Sequence, residues 1–210
     1  EKETGVRLQV ETAASGNYTI TIYDAEGRDV IQKSYSEVKN NDNKISIPAG
    51  SYTLVARSSS EEVPVAAFEQ PVYGTSKEFS ITAGETTYVG DLVCTLLQCK
   101  VTVSYSEEFL ASVTGVGKAT VNVKKGYPLE YVLNANGTYD QSAGYFAVEG
   151  NTMTVEFNGS VDGKSQKMRK SFPNIAPKQW RQIKFVKKTN EQGNATFDIL
   201  INDLVSDETL

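Results

Sequence analysis

The sequence contains no histidine, and this absence removes several kinds of active site at once. A Ser-His-Asp or Cys-His nucleophile, a histidine metal site and the commonest general base near neutral pH all need an imidazole. Paired carboxylates could still support hydrolysis, but Glu61-Glu62 and Glu107-Glu108 are adjacent pairs, whose members point to opposite faces of a strand. The chain is therefore predicted to be no enzyme and to bind no cofactor or metal.

Cysteine is scarce, with only Cys94 and Cys99. An extended segment of that length spans about 16 Å, whereas the Cα atoms of a disulfide lie about 4.4–6.8 Å apart. The residues between them include no Gly, Pro, Asn or Asp that would favour a tight turn. We expect two free, buried thiols that pack as small hydrophobic groups.

Long apolar runs and basic clusters are also absent. No stretch approaches the roughly 20 apolar residues that span a bilayer, so membrane contact is expected only through an anchor outside this sequence. The formal net charge is −5, and no basic pair extends into a longer run. Nucleic acid is not an expected partner, because its binding needs a basic surface that releases counterions.

Alternating segments separated by turn residues fill the rest of the chain. After Pro48-Ala49-Gly50, the alternation places Tyr52, Leu54 and Ala56 on one buried face. Similar stretches begin at Phe79 and at Phe172. A chain of 210 residues with this repeated pattern suits two β-sandwiches of about 100 residues each, although one larger all-β domain also fits the length.

The predicted fold class is all-β, with two tandem immunoglobulin- or transthyretin-like β-sandwich domains over residues 1–93 and 94–210. Residues 86–105 are nearly continuous in strand-forming residues and would span roughly 65 Å if fully extended. They are interpreted as the last strand of the first domain followed directly by the first strand of the second. Ser106, with Glu107 and Glu108 after it, favours one short helix in the second domain.

Turns in the second domain are predicted where glycine follows Asn or Asp. These pairs are Asn136-Gly137, Asn158-Gly159 and Asp162-Gly163. In the first domain, Asp24-Ala25-Glu26-Gly27 faintly resembles a calcium loop, but it lacks the spacing and the closing bidentate glutamate. We interpret it as a hairpin turn.

One group of neighbouring residues is a candidate ligand platform. It consists of Trp180, Lys178, Arg181 and Gln182. An exposed tryptophan beside polar groups can stack on a sugar or a peptide. The alternative is a packed core residue, because Trp180 differs in parity from Ile183 but matches Val186.

Two regular strands near the termini, residues 6–12 and 197–201, are candidates for assembly. An edge strand has unpaired backbone groups that can accept or donate a strand between subunits. The alternative is that both are ordinary internal strands.

Several motifs occur in an order that resembles a known family. They are Gly50-Ser51-Tyr52-Thr53-Leu54, Ala67-Phe68-Glu69-Gln70-Pro71-Val72-Tyr73-Gly74, Phe79-Ser80-Ile81-Thr82-Ala83-Gly84-Glu85-Thr86, Val101-Thr102-Val103-Ser104-Tyr105-Ser106-Glu107-Glu108-Phe109 and Gly144-Tyr145-Phe146. The set resembles an extracellular lipoprotein family of gut Bacteroides and relatives, of unknown function or linked to cell adhesion and distantly similar to fimbrial subunits. The resemblance covers nearly the whole chain.

The resemblance implies a place outside the cell or on the outer-membrane surface, with a lipid anchor in the full-length protein. It supplies no catalytic or ligand residues. The expected function is that of a non-enzymatic cell-surface protein, an adhesin or a fimbria-like structural or stalk component. Its expected partners are a host or bacterial surface protein or glycan, and possible further subunits that pair through terminal strands. The alternative is a glycan-binding module associated with polysaccharide uptake.

Overall fold

The structure, a computed structural model, describes residues 5–10, 18–148 and 152–205. These residues form two compact units. The first contains residues 5–10, 18–63 and 72–97, and the second contains residues 64–71, 98–148 and 152–205. Almost all regular structure is strand, so the predicted all-β class is confirmed. The domain limits drawn from the sequence, at residues 93 and 94, stay a prediction.

The first unit contains two sheets. Its five-stranded sheet consists, in spatial order, of β3 (Asp29–Ser34), β2 (Thr19–Asp24), β5 (Gly50–Arg57), β7 (Tyr73–Ile81) and β9 (Thr95–Leu96). Its three-stranded sheet consists of β4 (Lys44–Ile45), β1 (Gly5–Val10) and β8 (Thr86–Leu92). β1 lies between β4 and β8, but β4 pairs only with Val6 and Arg7. The use of residues 6–12 as an assembly edge therefore stays a prediction, and residues 11 and 12 lie outside the described residues.

The second unit also contains two sheets. The five-stranded sheet consists of β17 (Ala195–Val205), β16 (Gln179–Thr189), β10 (Cys99–Tyr105), β13 (Gly144–Phe146) and β6 (Ala66–Phe68). The four-stranded sheet consists of β12 (Leu129–Leu133), β11 (Gly117–Asn122), β14 (Thr152–Val161) and β15 (Lys164–Pro173). β10 and β16 run parallel, and the other paired strands of this unit are antiparallel.

One hydrophobic core joins the two sheets of the second unit. Val101 and Ile183 of the five-stranded sheet belong to the same buried cluster as Val121 and Val155 of the four-stranded sheet. The rings of Phe157 and Phe185 lie 5.5 Å apart between their centroids, a distance typical of favourable aromatic pairs. Two sheets that bury their inner faces against each other form a β-sandwich.

Two short helices interrupt the strands. The predicted helix is present as α2 (Glu107–Ala111), and the Ser106 side chain accepts a hydrogen bond from the Phe109 backbone N–H. The helix α1 (Tyr35–Asn40) was not predicted. Its signal was present, because Ser34 and Glu37 form a capping box in which each side chain binds the backbone N–H of the other residue.

Two details of the strand predictions have clear outcomes. The alternation in β5 is confirmed, because Tyr52, Leu54 and Ala56 are buried. The turn predicted at Asn158-Gly159 is wrong, since β14 continues through these residues and the chain reverses at Asp162-Gly163. Gly159 serves close packing instead, because a Cβ atom there would lie 2.7 Å from the ring of Phe157.

Candidate binding site

The outer face of the five-stranded sheet in the second unit carries Trp180 and Gln182. Along β16, Arg181 and Ile183 are buried, whereas Trp180 and Gln182 are partly exposed. This is the two-residue alternation of a strand with one face in the core. The neighbouring strands place Lys100 and Leu204 beside Trp180.

The indole ring of Trp180 is held by two contacts. Its Nε1 atom donates a hydrogen bond to Oγ1 of Thr102 at 3.0 Å. The Nζ atom of Lys100 lies 4.9 Å from the ring centroid, which is within the range of a cation–π interaction. The ring is therefore oriented by its neighbours before any ligand arrives.

A groove of about 670 Å³ follows this outer face. It is lined by Thr102, Val103, Ser104, Tyr139, Gln141, Trp180, Gln182, Lys184, Leu200, Ile201 and Asn202. A volume of this size is within the usual range for small-molecule sites, roughly 300–1,000 Å³. The groove brings together residues from three neighbouring strands and from the segment before β13.

The groove offers aromatic surface together with uncharged hydrogen-bonding groups. The Nδ2 atom of Asn202 donates to Oε1 of Gln182 at 3.2 Å, which leaves further amide donors and acceptors of both side chains for other partners. Lys184 supplies a positive charge, and none of the described residues that line the groove carries a carboxylate. These groups can bind hydroxyl-rich molecules.

Arg181 points to the opposite face of the sheet and does not join Trp180. It is 3% exposed, and its guanidinium donates to the carbonyl oxygens of Phe172, Pro173 and Asn174 at 2.9–3.4 Å. Its Nε atom lies 3.1 Å from Oδ1 of Asp203. These contacts fasten the segment after β15 to β16 and β17, which is a structural role.

Lys178 also lies outside the groove. Its backbone adopts φ 65° in the segment before β16, its side chain is exposed, and its N–H donates to the Gln98 carbonyl oxygen at 3.2 Å. Of the four residues of the predicted platform, the structure brings only Trp180 and Gln182 together in the groove. The role of this platform in binding stays a prediction.

The remaining groove residues were missed by sequence reasoning. Thr102 and Ser104 alternate with Val101 and Val103, so their exposure on one face could have been predicted. Their position beside Trp180 could not, because it depends on the parallel pairing of β10 with β16. Asn202 is brought in by the pairing of β16 with β17.

The turn that follows β2 is built around Asp24. Its Oδ1 atom accepts hydrogen bonds from the N–H groups of Glu26 and Arg28 at 3.0 and 2.9 Å, and its Oδ2 atom accepts one from Arg28 Nε at 2.7 Å. The backbone hydrogen bond from Arg28 is the largest cause of a lowered pKa of this carboxyl group. The predicted hairpin turn is confirmed, and its carboxylate is already occupied by donors from the chain.

Both cysteines are free and buried, as predicted. Burial raises the pKa of Cys94 to about 11 and that of Cys99 to about 12. The thiols are therefore protonated near neutral pH and are poor nucleophiles. The buried hydroxyl groups of Tyr105 and Tyr131 also have raised pKa values, because burial disfavours their charged forms.

Neither a metal-binding cluster nor a membrane-spanning helix is present in the described ranges. Within residues 5–10, 18–148 and 152–205, no group of three or more His, Cys, Asp or Glu side chains could hold a metal ion. The same residues include no helix with both the length and the apolar character needed to cross a membrane.

Comparisons with known proteins agree with the fold described above. A family described as a domain of unknown function, DUF4493, matches residues 2–210. A comparison with curated proteins gives no match. Among solved structures, a "putative adhesin" from Bacteroides thetaiotaomicron is similar over 99% of both chains, with 9% sequence identity and a TM-score of 0.50.

Two further solved structures are similar over most of their length. A fimbrial assembly protein from Parabacteroides distasonis matches with 12% identity and a TM-score of 0.46, over 93% of this chain and 99% of that one. A "putative adhesin" from Bacteroides ovatus matches with 12% identity and a TM-score of 0.45, over 98% and 96% of the two chains.

Proposed function

The chain belongs to the DUF4493 family, and from that premise we propose that it is a non-enzymatic protein of the cell surface. In this proposal it acts in adhesion, or as a structural component of a fimbria-like assembly. The full-length protein is held at the outer surface by a lipid anchor, and its partners are surface proteins or glycans.

The observation that carries the proposal is the groove on the outer face of the second unit. Trp180 is oriented there by Thr102 and Lys100, and the amides of Gln182 and Asn202 lie in the same groove. Such a face suits contact with another molecule, because aromatic side chains give large contact areas and amides adapt their hydrogen bonds. The shared fold with a Bacteroides thetaiotaomicron protein called a "putative adhesin" supports the same role.

Retention of coated beads under flow tests adhesion. Beads carrying the chain are passed over mucin-coated and collagen-coated surfaces and compared with beads that carry the Trp180→Ala variant. We expect retention of the wild type on at least one surface and a severalfold loss for the variant. The matched control is Tyr127→Ala, which removes an aromatic side chain that is 51% exposed and does not line the groove. Equal retention of the three kinds of bead would contradict adhesion through this face, and so would a result in which no bead is retained on either surface.

A second function, glycan binding in association with polysaccharide uptake, is favoured by the chemistry of the groove. Hydroxyl and amide groups can bind sugar hydroxyl groups, while an aromatic face can pack against the apolar face of a sugar ring. Affinity electrophoresis in gels containing soluble mannan, starch or polygalacturonate tests this function. Retardation that disappears in Trp180→Ala but not in Tyr127→Ala would support it, and unchanged mobility in all three gels would reject it.

A further inference from the structure

The outer side of β17 is a sheet edge that is open along part of its length. No strand among residues 18–148 and 152–205 pairs with it, although β17 pairs with β16 at every position without a bulge. Natural edge strands are usually protected by charged side chains, proline or a bulge. β17 contains no lysine or proline, and its charged side chains are Asp198 and Asp203. Leu200, Leu204 and Val205 are 38%, 39% and 68% exposed, which places apolar side chains along this edge.

The directions of the backbone groups identify the residues that could pair. The carbonyl oxygen of Phe185 accepts from the Ser106 N–H at 2.9 Å, so it points away from its β17 neighbour, Ile199. In an antiparallel pair, the N–H and C=O groups of one residue point to the same side, and successive residues alternate. Ile199, Ile201 and Asp203 therefore direct these groups toward the open edge.

One of these positions is already sealed by side chains. Lys170, on the edge strand β15 of the other sheet, donates from Nζ to the Ile199 carbonyl oxygen at 2.8 Å and to Asp198 Oδ1 at 3.1 Å. The Ile199 N–H donates to the same Oδ1 atom at 2.7 Å. The edge is thus closed at Ile199, and the next two outward-facing residues, Ile201 and Asp203, have no such seal in the described chain.

We propose that residues 200–204 of β17 pair antiparallel with the same residues of a second copy of this chain, about a two-fold axis at Asn202. Ile201 of each copy then exchanges two hydrogen bonds with Asp203 of the other. On the outer face, Leu200 of each copy lies opposite Leu204 of the other, so the exposed leucines cover each other. Asn202 lies opposite its own symmetry mate, where two amides can hydrogen-bond.

Other pairing registers of the two β17 strands are less favourable. Moving the axis to Asp203 places two carboxylates directly opposite each other, and like charges in that position destabilise a strand pair. Moving the axis to Ile201 requires Ile199, whose backbone groups are bound by Lys170 and Asp198. A register shifted by one residue would place the outer-facing side chains of one copy on the same side as the inner-facing side chains of the other. The Asn202 register avoids all three penalties.

Pairing through β17 rests on the structural role proposed above and gives it a partner and a surface, but the tests of this pairing do not depend on adhesion. The paired segment is short, so the interface lies at the small end of specific interfaces and binding is weak, with a dissociation constant on the order of 0.1–1 mM. Close spacing of copies on a surface would raise their effective concentration.

Cysteine crosslinking tests the register directly. Opposed residues in a pair that is not hydrogen-bonded have Cα atoms about 4.5 Å apart, which a disulfide can span. Under mild oxidation we expect Asn202→Cys to form a covalent dimer. Thr196→Cys, exposed on the same strand, should remain monomeric because its symmetry mate lies far away. Absence of the Asn202→Cys dimer, or equal crosslinking of both variants, would overturn the proposal.

Sedimentation velocity up to about 1 mM protein tests association without crosslinks. We expect concentration-dependent dimers of the wild type and of the control Val132→Lys, whose valine is 43% exposed on another strand, and monomers of Leu204→Lys. Lys170→Met should strengthen association, because it frees the Ile199 carbonyl oxygen to accept a hydrogen bond from the Val205 N–H of the second copy. A wild type that stays monomeric throughout, or a Leu204→Lys variant that associates like Val132→Lys, would refute pairing through β17.

Discussion

Trp180 and Thr102 are joined by one hydrogen bond, 3.0 Å from the indole Nε1 to Oγ1, across the parallel pair formed by β16 and β10. The two residues are 78 positions apart in the sequence. This bond sets the orientation of the aromatic surface in the groove, and it can be removed without changing the size of the side chain very much.

The first prediction concerns that bond. Thr102→Val leaves a partly buried indole N–H without its acceptor, so the free energy of unfolding should fall by about 1 kcal/mol. Quenching of Trp180 fluorescence by acrylamide should also increase, and the signal is specific because the chain has one tryptophan. Thr120→Val, on the four-stranded sheet, is the control and should change neither quantity. Identical results for the two variants would count against an orienting role for Thr102.

The second prediction separates a buried arginine from an exposed one. Arg181→Ala removes the donors to three carbonyl oxygens and breaks the pair with Asp203, so the free energy of unfolding should fall by about 1–3 kcal/mol. Arg169→Ala should cost less than about 1 kcal/mol, because Arg169 is 66% exposed in its pair with Glu156. Chemical denaturation measures both. Equal losses would show that the contacts of Arg181 contribute no more than a surface ion pair.

The third prediction concerns two tyrosines in one core. The Tyr105 hydroxyl is buried and has no hydrogen-bond partner among the described residues, whereas the Tyr131 hydroxyl donates to the Val101 carbonyl oxygen at 3.4 Å. Tyr105→Phe should therefore leave the free energy of unfolding unchanged or raise it by up to about 1 kcal/mol, while Tyr131→Phe should lower it by about 0.5–1 kcal/mol. Thermal unfolding of both variants provides the measurement, and the reverse order would contradict the assignment.

The fourth prediction is a pH dependence that arises from Asp24. Its pKa is lowered in the folded chain, first by the backbone hydrogen bond from Arg28, so the ionised form stabilises the fold above the ordinary carboxyl pKa of about 3.9. That stabilisation is lost as the pH falls through the lowered pKa. The denaturation midpoint of Asp24→Asn should lie below that of the wild type at pH 7, and the gap should shrink below about pH 4. A gap that is constant from pH 7 to pH 2 would disprove a contribution from the charge.

Much of the fold was predictable because its causes are local. The alternation in β5 and β10 follows directly from which residues are apolar, and the helix after Ser106 follows from a cap that acts within one turn. The missed helix α1 had an equally local signal in Ser34 and Glu37. The turn at Asn158-Gly159 failed for a different reason, because Gly159 is required by the packing of Phe157, which the residue pair itself does not reveal.

The candidate site was predictable only in part. The parity of β16 separates Trp180 and Gln182 from Arg181, and the sequence contains that parity. The sequence does not reveal that β6, which lies within residues 64–71, joins the sheet of the second unit. It also does not reveal that Thr102 and Asn202 flank Trp180.

The sequence by itself determined that this chain folds into strands with one apolar face, that its thiols are buried, and that histidine chemistry is excluded. These properties depend on composition and on a period of two residues. The tertiary structure decided which strands are neighbours, and therefore which polar side chains share the groove and which edge remains open at β17. Strand pairing joins residues far apart in the chain, so its outcome depends on the packing of the whole unit and not on any local segment.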